Sequence, residues 1–162
     1  MNNSDKIKTK LVVIGSGPGG YTAAFRASDL GLDVILIEKN KQVGGVCLNR
    51  GCIPSKALLH LSHIISEANK ADKKGVTFSD PKIDIKKTMK WKNDIVNNLS
   101  NGISSLANQR NVNIINGKAK FISANKITVD DNQGKNIIIE FEYCIIATGS
   151  SQSKIQNIDI NN

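Results

Sequence analysis

At 162 residues, 40% of them hydrophobic, the chain is long enough for one domain with a real core. No apolar run reaches the roughly 18 residues of a membrane span, and the polar start Met1–Lys10 lacks the apolar segment of a secretory signal, so a cytoplasmic location without membrane association is expected. The formal charge of +8 comes from lysines spread along the whole chain, with only 4% aromatics and no compact basic cluster, which argues against a nucleic-acid partner.

Lys10–Ile14 reads as a buried strand running directly into Gly15-Ser16-Gly17-Pro18-Gly19-Gly20. A helix is predicted from there to about Leu30, with Ala23, Ala24 and Ala27 as small packing residues and Gly31 ending it. Pro18 suits that helix's first turn, where its missing N–H costs nothing. Asp33–Glu38 reads as a second strand ending in an acid, with Lys39 beside it. Strand, turn, helix and strand form a parallel crossover unit.

Gly15, Gly17 and Gly20 stand at the three positions of a dinucleotide fingerprint: one for the tight turn, one for approach to a pyrophosphate, one for helix–strand packing. The helix N-terminus offers N–H groups and partial positive charge to phosphates. Glu38, 18 residues beyond Gly20, is where an acid accepts bonds from adenosine ribose hydroxyls and disfavours a 2′-phosphate. The motif alone does not separate FAD from NAD.

Cys47 and Cys52 follow, in Gly44-Gly45-Val46-Cys47-Leu48-Asn49-Arg50-Gly51-Cys52-Ile53-Pro54-Ser55-Lys56. A dithiol just after a nucleotide turn suggests electrons passing between sulfur and cofactor. In a regular helix a five-residue step rises about 7.5 Å, beyond the usual Cα limit of roughly 7 Å for a disulfide. A bridge would therefore need the backbone to leave helical geometry, and Gly51 supplies that freedom. Pro54 places Cys52 near the start of the next helix, where the helix dipole and Lys56 favour a thiolate. A zinc site is disfavoured because there is no second Cys/His pair; His60 and His63 are expected to be helix-face residues, and no metal is predicted. Cys144 lies in an apolar run and reads as a small buried hydrophobe.

From Ile53 to about Asn69 the pattern is helical, through Ala57, Leu58, Leu61, Ile64, Ile65 and Ala68. After a polar connection, Lys70–Pro81, a long amphipathic helix is predicted from about Ile83 to Arg110, its stripe including Ile85, Met89, Ile95, Val96, Leu99, Ile103 and Leu106. Val112–Ile115 suits a strand. Runs near Ala119–Ile122, Lys126–Val129 and Ile137–Phe141 suggest a small antiparallel meander. Tyr143–Ala147 returns as an apolar strand ending at Thr148-Gly149-Ser150. The fold class is α/β: a Rossmann-like domain with a parallel central sheet and the meander, over residues 1–150, followed by a tail, 151–162.

Three motifs carry a family resemblance: Gly15–Gly20 with Glu38, the Gly44–Lys56 stretch, and Ala147-Thr148-Gly149-Ser150. With them the chain resembles the N-terminal FAD-binding portion of the pyridine nucleotide-disulfide oxidoreductases. Within that family Leu48, Ile53 and Pro54-Ser55-Lys56 are similar to the dihydrolipoamide dehydrogenase branch, whereas glutathione and mercuric reductases more often carry Val at the positions of Leu48 and Ile53. The resemblance implies FAD at the first fingerprint. It implies that Cys47 exchanges with the substrate disulfide, Cys52 faces the flavin as the charge-transfer thiolate, and Lys56 lies near the flavin ring. Ala119, after Gly117, would hold the adenine through backbone, and Ala147–Ser150 would run close to the cofactor. Val46 stands where the family usually has Thr, which removes one polar contact.

The implied activity is oxidation of protein-bound dihydrolipoamide through a Cys47–Cys52 disulfide, with electrons passed to NAD. The implied partners are lipoyl domains of 2-oxo acid dehydrogenase complexes or of the glycine cleavage system, and a second copy in a homodimer. The chain contains no second GxGxxG and no family His–Glu pair, so the sequence is expected to be an N-terminal fragment, with the NAD site elsewhere, apolar surface uncovered and little full turnover by itself. The alternatives are a flavin-binding module without complete activity, or another disulfide reductase of the family.

Overall fold

A computed structural model describes residues 5–131 and 136–151; the expected tail beyond Ser151 lies outside the described residues. Five strands form one sheet that closes on itself: β1 (Asp5–Ile14), β2 (Val34–Glu38), β3 (Asn113–Ser123), β4 (Lys126–Asp131) and β5 (Asn136–Ile146). β1 pairs in parallel with β2 and β5, and β2 in parallel with β3, while β4 runs antiparallel to both β3 and β5. The expected parallel sheet and meander are both present, but they are one continuous structure. β3 runs through both of the segments expected as separate strands, and β5 does the same. No break separates the paired runs: Gly117 stays within β3, paired with Asp131, and Glu142 within β5.

The alternation of side chains along a strand explains why β1 and β2 read as unbroken apolar runs. Leu11, Val13, Val34 and Leu36 face Ala24, Ala27, Ala107 and Val112, the helical side. Val12, Ile35 and Ile37 face the opposite way, into a cluster with Ile127, Val129, Ile139 and Phe141 inside the closed sheet. Fully burying one such side chain is worth ~1.5–3 kcal/mol, so a one-residue slip of either strand would misplace both faces together.

Four α-helices cover the outer side: α1 (Pro18–Asp29), α2 (Gly45–Arg50), α3 (Cys52–Ala71) and α4 (Ile85–Gln109). α2 was not expected as an element of its own, and one 3₁₀ turn, Asp72–Lys74, interrupts the polar connection. β1 begins five residues before the apolar run that signalled it, because Asp5–Thr9 pair with β5 over Ile137–Phe141. Asp84 caps α4, its carboxylate accepting from the Lys87 N–H at 3.0 Å.

The apolar stripes of α3 and α4 differ from expectation. On α4 the buried line is Val96, Ser100, Ile103 and Ala107, whereas Ile85, Met89, Leu99 and Leu106 are exposed. On α3 the expected stripe is kept at Ala57, which is buried, and at Leu61, Ile65 and Ala68, which are half-buried, while Leu58 and Ile64 are exposed. On α4 the packed side combines Val96 and Ile103 of the expected stripe with the small Ser100 and Ala107. Tyr143 and Ile146 of β5 are also exposed, at 63% and 66%.

Two glycines provide a stability test. A Cβ on Gly102, inside α4, would meet nothing within 4 Å, whereas one on Gly20 would lie 1.7 Å from the Gly15 carbonyl oxygen. Gly102→Ala is expected to stabilise by ~0.5–1 kcal/mol, and Gly20→Ala to destabilise by at least ~2 kcal/mol. Urea unfolding midpoints check both; a loss at Gly102 or tolerance at Gly20 would contradict this packing.

Candidate functional site

β1 ends at Ile14, and Gly15 takes φ +101°, a conformation that favours glycine. Its N–H donates to the Ile37 carbonyl at 2.8 Å, and a Cβ there would fall 2.3 Å from the Ala147 carbonyl oxygen. The turn therefore lies in a crevice between β2 and the end of β5. Gly15 and Gly20 are required by the protein itself, but Gly17 is not. Its φ is −68°, and a Cβ on Gly17 or on Gly19 would meet nothing within 4 Å. These two glycines face open space in front of the twelve-residue helix α1, whose N-cap, Gly17, contributes no side-chain hydrogen bond. A pyrophosphate fits that bare cradle, which brings N–H groups and positive helix charge to one place.

Glu38 ends β2 and is buried at 4% exposure. Oε2 accepts from the Ser16 N–H at 3.0 Å and the Ser16 hydroxyl at 2.5 Å. Oε1 accepts from the Asn40 N–H at 2.9 Å and its side-chain amide at 2.7 Å. Burial alone pushes this carboxyl up, but the donors from Ser16 and Asn40 outweigh it and hold Glu38 below its ordinary value. Ser16, expected only as part of the turn, is fully buried and thus ties the turn to the acid.

The cysteine segment packs directly on the turn. The Gly44 N–H donates to the Ser16 carbonyl at 2.9 Å, and a Cβ on Gly45 would lie 2.6 Å from Gly17 Cα. Gly44 and Gly45 have φ of +107° and +65°, which turns the chain into α2. Three groups hold this approach from below. The Val43 carbonyl accepts from the Ser100 hydroxyl and the Asn49 amide, both at 3.0 Å, and the amide also donates to the Gly45 carbonyl at 2.9 Å. Val43 and Leu48 pack with Val96 and Ile103, flanked by Tyr21 and Phe25. Asn49 Oδ1 is a buried acceptor with no protein partner.

Cys47 lies in α2 and Cys52 opens α3, with Gly51 between the two helices at φ −123°, ψ −105°. That break replaces the helical rise and brings the two Cα atoms to 4.7 Å, and the sulfurs are joined as a disulfide. Cys47 is half-buried and Cys52 is exposed. Val46 is 67% exposed. Lys56 is exposed one turn beyond Cys52 on α3, and Lys39 is exposed beside Glu38.

The third motif also arrives here. The Ala147 N–H donates to the Ile14 carbonyl at 2.8 Å, and Thr148, Gly149 and Ser150 continue as exposed chain beside the turn. Ala119 is half-buried in β3, three residues beyond Asn116, the register partner of Glu38. Thus Gly15–Gly20, Glu38, Gly44, Gly45 and Ala147 meet at the ends of β1, β2 and β5, with the disulfide carried on the helices that begin at Gly45. His60 and His63 are exposed on α3. Among the described residues no group of three or more His, Cys, Asp or Glu is arranged to hold a metal. No described helix is long and apolar enough to cross a membrane. Cys144, expected to be buried, is half-buried at the margin of the inner cluster, and burial pushes its thiol up.

Four residues of the site escaped sequence reasoning: Asn40, Asn49, Ser100 and Asn116. Ser100 had a usable signal, its spacing with Val96, Ile103 and Ala107 along one helix face. The Asn116 side chain donates to the Asn40 carbonyl at 2.7 Å across 76 residues, and no local pattern announces such a bond.

A nucleotide-type glycine turn in direct contact with a disulfide-bearing helix pair defines a cofactor-dependent disulfide oxidoreductase fold. The chain belongs to the pyridine nucleotide-disulphide oxidoreductase family, whose profile matches residues 9–161. It is similar to the dihydrolipoyl dehydrogenase of Buchnera aphidicola subsp. Acyrthosiphon pisum, at 52% identity over 94% of this chain and 32% of that protein. It is similar also to the dihydrolipoyl dehydrogenases of Vibrio cholerae, at 47% over 94% of this chain, and Halobacterium salinarum, at 43% over 93%, each covered over 32% of its own length. The chain thus spans about a third of the curated relatives it matches. The family and these relatives imply FAD binding.

The Glu38 network has a measurable consequence. In Glu38→Gln an amide N–H₂ must face either the Ser16 N–H or the Asn40 donors, at an expected cost of ~2–3 kcal/mol at neutral pH. Because folding lowers the Glu38 pKa below its ordinary 4.5, the wild-type contribution is complete above that value and is lost as pH falls through the folded-state pKa. Thermal melts of both proteins should therefore converge on the acid side of 4.5. A gap independent of pH would disprove the assignment.

Proposed function

We propose that residues 1–150 form the FAD-binding and dithiol portion of a dihydrolipoyl dehydrogenase, an enzyme that oxidises protein-bound dihydrolipoamide and passes the electrons to NAD. The observation that carries this is the approach of Gly45 to Gly17 Cα, which sets the disulfide helix against the nucleotide turn. In this reading Gly15–Gly20 and Glu38 hold the pyrophosphate and adenosine ribose, Lys39 and the Ala119 backbone lie beside the adenosine, and Gly44–Val46, Lys56 and Ala147–Ser150 line the rest. FAD, when bound, accepts the electron pair that the reduced dithiol carries.

In this reading the two cysteines take the roles that the family resemblance implies, Cys47 exchanging with the substrate and Cys52 facing the flavin. A lipoyl thiolate attacks the Cys47 sulfur, forming a mixed disulfide and releasing Cys52 as thiolate. The second lipoyl thiolate then attacks the lipoyl sulfur of that bond, closing the lipoamide disulfide and freeing Cys47. Both electrons of the dithiol now reside on Cys47 and Cys52. Cys52 is the better resident thiolate because it opens the twenty-residue helix α3, whose N-terminal charge stabilises an anion. The partners are lipoyl-bearing domains of 2-oxo acid dehydrogenase complexes or of the glycine cleavage system, with homodimeric assembly and a cytoplasmic location.

Two experiments test this reading. Dihydrolipoamide should bleach the visible absorbance of the FAD-loaded wild-type chain and leave FAD-loaded Cys47→Ser oxidised; bleaching of both would refute the role of the pair. Gly17→Ala introduces no clash with the protein, so its unfolding free energy should stay within ~1 kcal/mol of wild type. FAD affinity should fall by at least ~tenfold as the cradle fills. Equal affinity would remove the pyrophosphate from this turn.

A further inference from the structure

All four acceptor directions of the Glu38 carboxylate are filled by protein donors, two from Ser16 on Oε2 and two from Asn40 on Oε1. A ribose hydroxyl therefore cannot bind this acid without displacing one of them. Three of the four are held fast. The Ser16 N–H and hydroxyl belong to a residue with no exposure, and that hydroxyl also accepts from the Gly44 N–H at 3.3 Å. The Asn40 N–H is main chain, and the Asn40 carbonyl is tied to Asn116. The fourth donor, the Asn40 amide, is on a half-buried side chain whose oxygen accepts only a long bond from Arg50 Nη2, at 3.5 Å.

We propose that the Asn40 side chain is the positioning residue for adenosine ribose recognition: it holds the Glu38 carboxylate oriented through Oε1 and is the donor that a ribose hydroxyl replaces. This inference rests on the FAD reading above. On displacement the hydroxyl proton takes the acceptor direction left by the amide, and the amide turns to water, as its partial exposure allows. Asn40 thus opposes ligands through one hydroxyl group, and ligands without that hydroxyl leave it undisturbed.

The test compares calorimetric affinities for adenosine 5′-diphosphate and its 2′,3′-dideoxy form in wild type, Asn40→Ala and Arg50→Ala, with FAD binding to wild type measured alongside. In Asn40→Ala the ratio of diphosphate to dideoxy affinity should rise roughly three- to tenfold, because the hydroxyl now displaces only water. In Arg50→Ala the ratio should rise by less, in the same direction. Loss of guanidinium charge alone would weaken both ligands equally and leave the ratio unchanged. An unchanged ratio in both variants, or a falling one, overturns the inference while FAD still binds the wild type. Failure of FAD to bind the wild-type chain would instead sink the functional reading itself.

Discussion

The constraint on which the site depends is a backbone-to-backbone contact: Gly45 against Gly17, with the Gly44 N–H bonded to the Ser16 carbonyl. Any side chain at Gly45 would enter the turn's own backbone, so the contact exists only because a hydrogen atom stands there. Cys47 follows two residues beyond Gly45 in α2, bridged to Cys52 at the start of α3. A rigid strand–turn–helix unit thereby fixes the position of a mobile kind of chemistry, and the redox pair needs no long loop to reach the nucleotide turn.

That contact requires support from below, and α4 provides it. Ser100 is a poor choice for a helix interior by propensity, yet its hydroxyl satisfies the Val43 carbonyl just where the backbone turns away from β2. Val96 and Ile103 on either side bury Val43 and Leu48. The same helix places Ala107 on the strand cluster with Leu36 and Val13. One element therefore braces both the sheet and the cysteine segment, which couples the stability of the core to the geometry of the site.

The parts legible in the sequence are those whose physics is local. Gly15 and Gly20 are demanded by a turn within six residues, Glu38 by the end of one strand, and the helix break at Gly51 by the reach of a disulfide. The parts that were not legible are set by tertiary closure. Continuous β3 and β5 were read as broken strands, β3 at Asn116-Gly117 and β5 at the charged Glu142, and pairing with β4 and β1 carries both strands through those breaks. The stripes of α3 and α4 were drawn too wide, taking in the exposed Leu58, Ile64, Ile85, Met89, Leu99 and Leu106, because period alone does not set where an apolar stripe ends. The packed sides include Ala57, Ser100 and Ala107, small side chains that let helices lie close to what they cover.

Glu38 illustrates how one side chain serves both fold and site. Its burial would be costly for an ionised group without partners, and the Ser16 and Asn40 donors remove that cost while locking the turn to the second strand. The acid is thus fully satisfied before any ligand arrives. The arrangement ties the turn to β2, and under the proposed reading ribose recognition at this position is an exchange of hydrogen bonds rather than a gain of new ones. In the proposed reading, affinity for a dinucleotide comes chiefly from the cradle around Gly17 and the helix behind it, where a Cβ would meet nothing, with the acid discriminating among ribose substituents.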